Sequence, residues 1–372
     1  MLNIRSFNAS DSDVKIAVNH IVEGISQENI KLILFFASTK YDFEQTARLM
    51  KDAFSDLEVV GCTTSGEIGP QGFSEGSISA MSIAADDFEV STFVMKDIRT
   101  KSMHARNDLI RAGKKVGLSP DDTNKGFIIT LIDAMQASEE KVMYSVGSAF
   151  PHLPLVGGSA ADDFQFKESF VSANGEIFQN AAIITFVKTN KQFFLYKENI
   201  YVPTEIEFKV TKSDLANRIV NEFDGKPAAD EYAKALGITV EELPDYFSSN
   251  PLGRLIFNSV WISTPVSVLE DKSITVYSAI SENSKVRILK PTDSINECKK
   301  SVETIMQNLP NCKGVLLFNC SYRYLQQKKE AICPQLVSEF SKCGSICGLN
   351  TYGEQLNMLH VNQTLTLIAF GE

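Results

Sequence analysis

Three short segments of this sequence combine glycine, hydroxyl side chains and a carboxylate at one spacing. Gly61-Cys62-Thr63-Thr64-Ser65-Gly66-Glu67 sets an acid six residues after a glycine, and Gly348-Leu349-Asn350-Thr351-Tyr352-Gly353-Glu354 repeats that spacing with its second glycine. Gly157-Gly158-Ser159-Ala160-Ala161-Asp162-Asp163 keeps the first glycine and the acid, with Asp162 replacing the second glycine. Loops of this kind leave backbone amides bare beside one carboxylate, the makings of a polar pocket. Cys62, Thr63, Thr64 and Gly66, then Gly158, Ser159 and Asp162, then Asn319, Asn350, Thr351 and Gly353 are its candidate contacts. Glu67, Asp163 and Glu354 can take an ammonium, and Arg323 can clamp a carboxylate in bidentate fashion. An amino-acid-like ligand satisfies both signs. The plainer reading is that the glycines make tight turns and the acids cap backbone amides. Copies one and three share more residues, so one of their loops is the better candidate.

Other chemistries are less well supplied. Cys62 as a nucleophile needs a base, usually histidine, and a lowered pKa, and no histidine lies nearby in sequence. Six cysteines fall between Cys298 and Cys347, but Cys343 and Cys347 are four apart and no C-x-x-C pair exists, so no metal site is expected. No G-x-S-x-G elbow, Walker A loop or H-E-x-x-H helix appears. Glu67 and Asp163 can be imagined as an acid and base pair, which keeps an enzyme at the Gly61–Glu67 loop as an alternative.

The elements that must position these loops recur with them. Leu32–Ala37 reads as a buried strand, and a helix with Phe43, Ala47, Met50 and Phe54 on one face follows. Leu57–Val60 then enters the first loop, and strands near 77–83 and 88–95 form an expected hairpin. Copy two runs Phe127–Ile132, a helix with Val142, Val146 and Phe150, then Leu155-Val156 into its loop; Asn174-Gly175 has hairpin chemistry. Strands near 179–187 and 193–201 follow. Copy three runs Gly314–Phe318, a helix with Ile332, Leu336 and Phe340, then Ser345–Cys347 into its loop, with a closing strand at 364–370. The first two strands of each copy should be parallel, because a helix-sized crossover separates them. The loops then lie at carboxyl ends of strands, where open α/β sheets place ligands.

Between copies two and three, Ile206, Phe208 and Val210 alternate as in a half-buried strand. Ser213 is placed to cap a helix with Leu215, Ile219 and Phe223; Pro227 and Gly237 bracket another; Thr239 and Glu242 suit a capping box. Strands are expected at 254–263, 274–280 and 286–289, and a long helix with Ile295, Cys298, Val302, Ile305 and Leu309 before copy three. The expected fold class is α/β (mixed α+β): repeated strand–helix–strand–loop–strand units forming mixed sheets in two closely packed parts. The parts are residues 1–210, with two repeats, and 211–372, with the third at 313–370.

Composition narrows the setting. The 372 residues carry a net charge of −10, which repels nucleic acid, and the densest basic stretches, Lys299-Lys300 and Lys328-Lys329, are too short for a basic patch. No run approaches the ~20 apolar residues of a membrane span, and Met1–Arg5 has no secretory apolar region. A cytoplasmic protein is expected. Seven cysteines, an odd number, suit reduced thiols better than a disulfide framework.

The ordered set of motifs resembles FIST proteins, which join an N-terminal and a C-terminal FIST domain. The matching pieces are the Gly61–Glu67 and Leu155–Asp163 segments, then Phe223-Asp224-Gly225-Lys226-Pro227-Ala228-Ala229-Asp230-Glu231-Tyr232, then Asn319-Cys320-Ser321-Tyr322-Arg323 and Thr351–Glu354. That resemblance implies a sensory domain of bacterial signal transduction that binds a small ligand, with amino acids proposed, and acts on a separate protein such as a histidine kinase or a cyclic-di-GMP enzyme. A subset of the family is reported to bind haem and sense nitric oxide, regulating a partner histidine kinase. For such a member the axial ligand would come from His20, His104, His152 or His360, and no C-x-x-C-H motif exists for covalent attachment. The reading is a non-catalytic cytosolic sensor that requires no cofactor, with haem as an alternative.

Overall fold

The computed structural model describes residues 1–256 and 259–372. Its packing divides into two compact units. Met1–Glu198, Cys298–His360 and Leu365–Glu372 form the first; Asn199–Glu297 and Val361–Thr364 form the second.

The first unit repeats one topology three times. In repeat one, β1 (Leu2–Ala9), α1 (Val14–Ile25), β2 (Ile30–Ala37), α2 (Phe43–Ala53) and β3 (Glu58–Thr63) lead to a short hairpin, β4 (Glu67–Gly69) and β5 (Gly72–Ser74), and then β6 (Ile78–Ala85). Repeat two runs β7 (Glu89–Lys96), α3 (Ile98–Lys101), α4 (Arg106–Lys114), β8 (Gly126–Asp133), α5 (Glu139–Ala149) and β9 (Leu155–Ala160). Its hairpin is β10 (Val171–Ala173) and β11 (Glu176–Phe178), and β12 (Ala181–Lys188) closes it. Repeat three opens with β13 (Gln192–Asn199).

The second unit intervenes there, as β14 (Tyr201–Asp214), β15 (Ile219–Phe223), β16 (Lys226–Pro227), α6 (Ala228–Leu236), α7 (Leu243–Tyr246), β17 (Leu252–Ile256), β18 (Ser259–Ser263), β19 (Pro265–Val268), β20 (Ile274–Val276) and β21 (Lys285–Pro291). Repeat three resumes with α8 (Ser294–Asn308), β22 (Cys312–Cys320), α9 (Ser321–Lys329), α10 (Cys333–Phe340) and β23 (Ser345–Thr351). Its hairpin is β24 (Glu354–Leu356) and β25 (Leu359–Val361), and β26 (Thr364–Gly371) ends the chain.

The three hairpins are exchanged in a ring. The sheets run β1-β6-β2-β3-β10-β11, β25-β24-β9-β8-β12-β7 and β13-β26-β22-β23-β4-β5. Repeat two lends its hairpin to the sheet of repeat one, repeat three lends to repeat two, and repeat one lends to repeat three. The expected parallel pairs are present: β2 with β3, β8 with β9, and β22 with β23.

Gly61, Gly157 and Gly348 sit inside β3, β9 and β23, so their role is close approach rather than turning. A Cβ there would fall 2.4 Å from the Phe35 carbonyl, 2.2 Å from that of Thr130 and 2.2 Å from that of Leu317. Gly66 differs, because its φ of 118° lies in the region that only glycine enters freely.

Amphipathic helices cover one face of each sheet. Ala17, Val18 and Ile21 of α1 and Ala47 and Met50 of α2 share a core with Ile33 and Phe35. Leu109, Val142 and Val146 do the same for Ile128 and Ile132, as Cys298, Val302 and Leu336 do for Val315 and Leu317. The opposite faces carry Phe36, whose ring meets Phe318 at 6.4 Å, and Phe127, which meets Phe370 at 5.8 Å.

Several expectations need correction. The strands expected as a hairpin at 77–83 and 88–95 become β6 and β7, which belong to different sheets. No helix follows Ser213. The Asp214 carboxylate takes the amides of Ala216 and Asn217 at 3.0 and 3.2 Å, which turns the chain back, and Ile219–Phe223 pairs as β15 with β14. A division at 210 falls inside β14, whose residues pair with β15 and β21 on both sides of that point. Of the strand expected at 254–263, residues 257 and 258 lie outside the described residues, and the rest is shared by β17 and β18, paired antiparallel. The helix bracketed by Pro227 and Gly237 is α6, with Gly237 at φ 72° as its C-cap.

Candidate functional site

Strand pairing brings the three glycine loops together within the first unit, where they hydrogen-bond to one another. Ser65 N donates to Asn350 O at 3.1 Å and Asn350 N to Gly66 O at 2.7 Å, joining loops one and three. Ala161 N donates to Thr63 O and Asp163 N to Thr64 O, both at 2.9 Å, joining loops two and one. Ser159 N donates to Gly353 O at 2.8 Å and Tyr352 N to Ser159 O at 3.3 Å, joining loops three and two. These amides, expected to be bare, are therefore occupied by neighbouring loops. Thr63, Thr64, Glu67, Ser159, Asn350, Thr351 and Glu354 are fully buried.

Two of the carboxylates at the repeated position, those of Glu67 and Asp163, are held by hydroxyls and amides. Glu67 accepts from the Thr64 hydroxyl and from both the amide and the hydroxyl of Ser77. Burial pushes its carboxyl up to about 8, opposed by those hydrogen bonds and assisted by the nearby charge of Asp163. Asp163 accepts from Ser38 Oγ at 2.8 Å, Thr39 N at 2.8 Å and Thr39 Oγ1 at 2.6 Å, which ties loop two to the end of β2. Asp162 accepts from the amides of Phe166, Lys167 and Glu168 at 2.8, 2.6 and 3.0 Å, and from Tyr352 Oη at 2.7 Å. Both acids of loop two thus do what the plainer reading expects of them.

Arg323 is not poised to clamp a ligand. It is 1% exposed and pairs with Glu198, which is 2% exposed, also donating to the Glu198 carbonyl at 3.2 Å. Asn319 donates to Gln327 Oε1 at 3.1 Å and to Asn350 Oδ1 at 2.9 Å. Thr351 Oγ1 donates to carbonyls of Ser159 and Gly353. Gly158 packs a Cβ-width from Phe318 and Thr351, and Gly353 lies against His360. Cys62 is fully buried and burial raises its thiol, which opposes nucleophilic use.

Space for a ligand opens at the rim, where loops one and two meet the start of α2. A hollow of about 460 Å³ is lined by Thr39, Tyr41, Asp42, Phe43, Glu44, Thr63, Asp162, Gln165, Lys167, Glu168, Phe170 and Ile177. Two of the expected residues, Thr63 and Asp162, line it; the third loop contributes none. Asp42 is the N-cap of α2, its carboxylate accepting from Gln45 N at 3.0 Å. The walls combine both charge signs (Lys167 against Asp42, Glu44 and Glu168) with hydroxyls and the apolar faces of Phe43, Phe170 and Ile177. Ser38 and Thr39 follow the buried strand Leu32–Ala37 and carry no motif of their own. Their signal was the Asp163 partner, which is non-local; the polar run Gln165–Glu168 was visible but had no motif.

The four histidines are scattered: His20, His104 and His152 are exposed and His360 is buried. Among the described residues no group of His, Cys, Asp and Glu is arranged to hold a metal ion. No helix of the described residues is long and apolar enough to cross a membrane.

Comparison with known proteins adds the family signal. The FIST N domain matches residues 31–226 and the FIST C domain residues 228–357. An uncharacterised protein of Methanocaldococcus jannaschii is 26% identical over 306 residues, covering 75% of this chain and 56% of that protein. The chain thus spans little more than half the length of the curated relative it matches. Among solved structures, PurLQS from Thermotoga maritima aligns with a TM-score of 0.21 and 9% identity over 100% of this chain and 72% of that one. T. maritima PurL complexed with FGAR aligns with a TM-score of 0.20 and 8% identity over the same shares. Likeness this low carries no argument.

Proposed function

The chain belongs to the FIST family, whose domains are sensory signalling domains, and from that premise we propose that it is a non-catalytic sensor of a small amino-acid-like ligand held in the hollow beside α2. The carrying observation is the lining of that hollow: one ammonium, four carboxylates, hydroxyls and an apolar wall converge on a space of about 460 Å³. Lys167 suits the ligand's carboxylate; Asp42, Glu44 or Glu168 suits its ammonium; Phe43, Phe170 and Ile177 suit an apolar side chain.

The second loop is the element a ligand would bias. Lys167 and Glu168 are set in place by hydrogen bonds from their backbone amides to the Asp162 carboxylate, and Phe166 of the same turn stacks on Tyr352 at 4.6 Å. A ligand that binds one arrangement of this turn better than another shifts its population. The turn touches the third loop through Tyr352, so the shift is passed on inside the first unit. A separate signalling protein, a histidine kinase or a cyclic-di-GMP enzyme, reads the change as altered affinity.

The test is a thermal-shift screen of the proteinogenic amino acids, with the protein purified and analysed by mass spectrometry for released small molecules. At least one amino acid should raise the melting temperature with saturation, and Lys167→Ala should abolish the shift while keeping the fold. A screen in which no amino acid stabilises the protein sinks the ligand class.

The haem and nitric-oxide reading has less support. No histidine lines this hollow. His20 borders a second hollow, of about 580 Å³, whose wall includes Asn8, Ser10 and Glu23, a poor match for an apolar macrocycle. His360 is packed against Gly353, where even a Cβ would lie 2.2 Å from its ring.

A further inference from the structure

Two cysteines outside the candidate site stand side by side. Cys312 begins β22, and Cys343 ends a short helical turn, Ser341–Cys343, that leads into β23. These strands pair in parallel, Gly314 opposite Ser345, with one constant offset to Cys320 opposite Thr351. Just before that pairing the Lys313 carbonyl lies against Gly344, which brings the segments that carry Cys312 and Cys343 together. Gly344 makes the approach feasible: its φ is 100°, and a Cβ there would lie 2.3 Å from the Lys313 carbonyl. The Cys312 thiol donates to the Gly314 carbonyl at 3.6 Å, and the neighbouring Cys343 thiol lowers that of Cys312. Cys343 is buried, whereas Cys312 is partly open to solvent, and both are free thiols.

We propose that Cys312 and Cys343 form an oxidisable dithiol that a hydroperoxide converts to a disulfide, a modification site separate from the ligand hollow. Cys312 supplies the attacking sulfur. The neighbouring Cys343 thiol holds that of Cys312 below the ordinary range, and Cys312 raises that of Cys343. In the first step the Cys312 thiolate attacks a peroxide oxygen; the O–O bond breaks, the leaving oxygen departs as water or alcohol after protonation, and a sulfenic acid forms. In the second, the Cys343 sulfur attacks the Cys312 sulfur; the S–S bond forms, the S–O bond breaks, and hydroxide leaves as water with the Cys343 proton. The peroxide is reduced and the two thiols are oxidised. A dithiol reductant reverses the change by exchange. The bond would tether the entry of β23, the strand that carries the third glycine loop.

The full chain is treated with hydrogen peroxide, unfolded, and alkylated. Two fewer of its seven thiols should then react, peptide mass spectrometry should link Cys312 to Cys343, and dithiothreitol should restore both. In Cys343→Ser the Cys312 sulfenic acid should persist and be trapped by dimedone, far more than in the unchanged protein. Circular dichroism of each variant checks that it is folded. Seven alkylated thiols after peroxide, or a link that joins Cys298 to either cysteine, overturns the proposal, and neither result bears on the ligand hollow.

Discussion

The second and third glycine loops hold equivalent places in the ring of exchanged hairpins, yet one is open and the other sealed. Between β23 and β24 the chain has only Tyr352 and Gly353, whereas between β9 and β10 it runs from residue 161 to 170. The longer excursion is organised by Asp162, the residue that replaces glycine in this copy, through three amide hydrogen bonds. Lengthening one loop costs little closure entropy. It also turns an interlocked junction into the wall of a hollow. The lesson is that a repeated motif supplies a scaffold, and the copy that departs from the repeat supplies the space.

The sealed side should be the more sensitive to substitution. Arg323→Ala leaves Glu198 buried without its cation, and urea titration should show a loss of about 3–5 kcal/mol. Replacing both by apolar residues of similar volume should recover most of it. On the open side Asp162→Ala removes several charge-assisted bonds and should cost about 2–3 kcal/mol. It should also abolish ligand-induced stabilisation, which Arg323→Ala should leave in place at temperatures where that variant is folded. If the two variants lose ligand response equally, the distinction between scaffold and site is broken.

Gly157→Ala and Gly348→Ala test whether the copies are equivalent where they should be. Each forces a methyl against a backbone carbonyl 2.2 Å away, and each should cost about 1–3 kcal/mol. A neutral result at either would mean that the parallel strands can part there.

Glu67 sharpens the comparison through pH. Its carboxyl sits at about 8 against an ordinary 4.5 because it is buried. An acid raised in the folded state contributes stability that is fully present below about 4.5 and lost as pH rises through about 8. The denaturation midpoint should therefore fall between about pH 5 and pH 8, and Glu67→Gln should flatten that slope. Smallest is Phe166→Ala, which removes a half-exposed aromatic stack on Tyr352 and should cost about 0.5–1.5 kcal/mol.

Much of the first unit was legible in the sequence. Buried strands such as Leu32–Ala37, helix faces such as Phe43, Ala47 and Met50, and the Asn174-Gly175 hairpin all appear as read. These are properties of local period and turn chemistry. The misread segment at 215–223 shows the limit: Leu215, Ile219 and Phe223 fit a helical spacing, but the Asp214 turn and pairing on both edges of β15 overrode it.

What the sequence by itself determined is three repeats, their parallel strand pairs and the carboxyl-end position of their loops, because each follows from a pattern local to one copy. What only the tertiary structure decided is which hairpin joins which sheet, that loop amides bond to carbonyls of neighbouring loops, that Arg323 belongs to Glu198, and that the open space lies beside Asp42. Short strands carry no mark of their partner, since backbone hydrogen bonds are the same for any neighbour. The choice is made by burial summed over the whole unit.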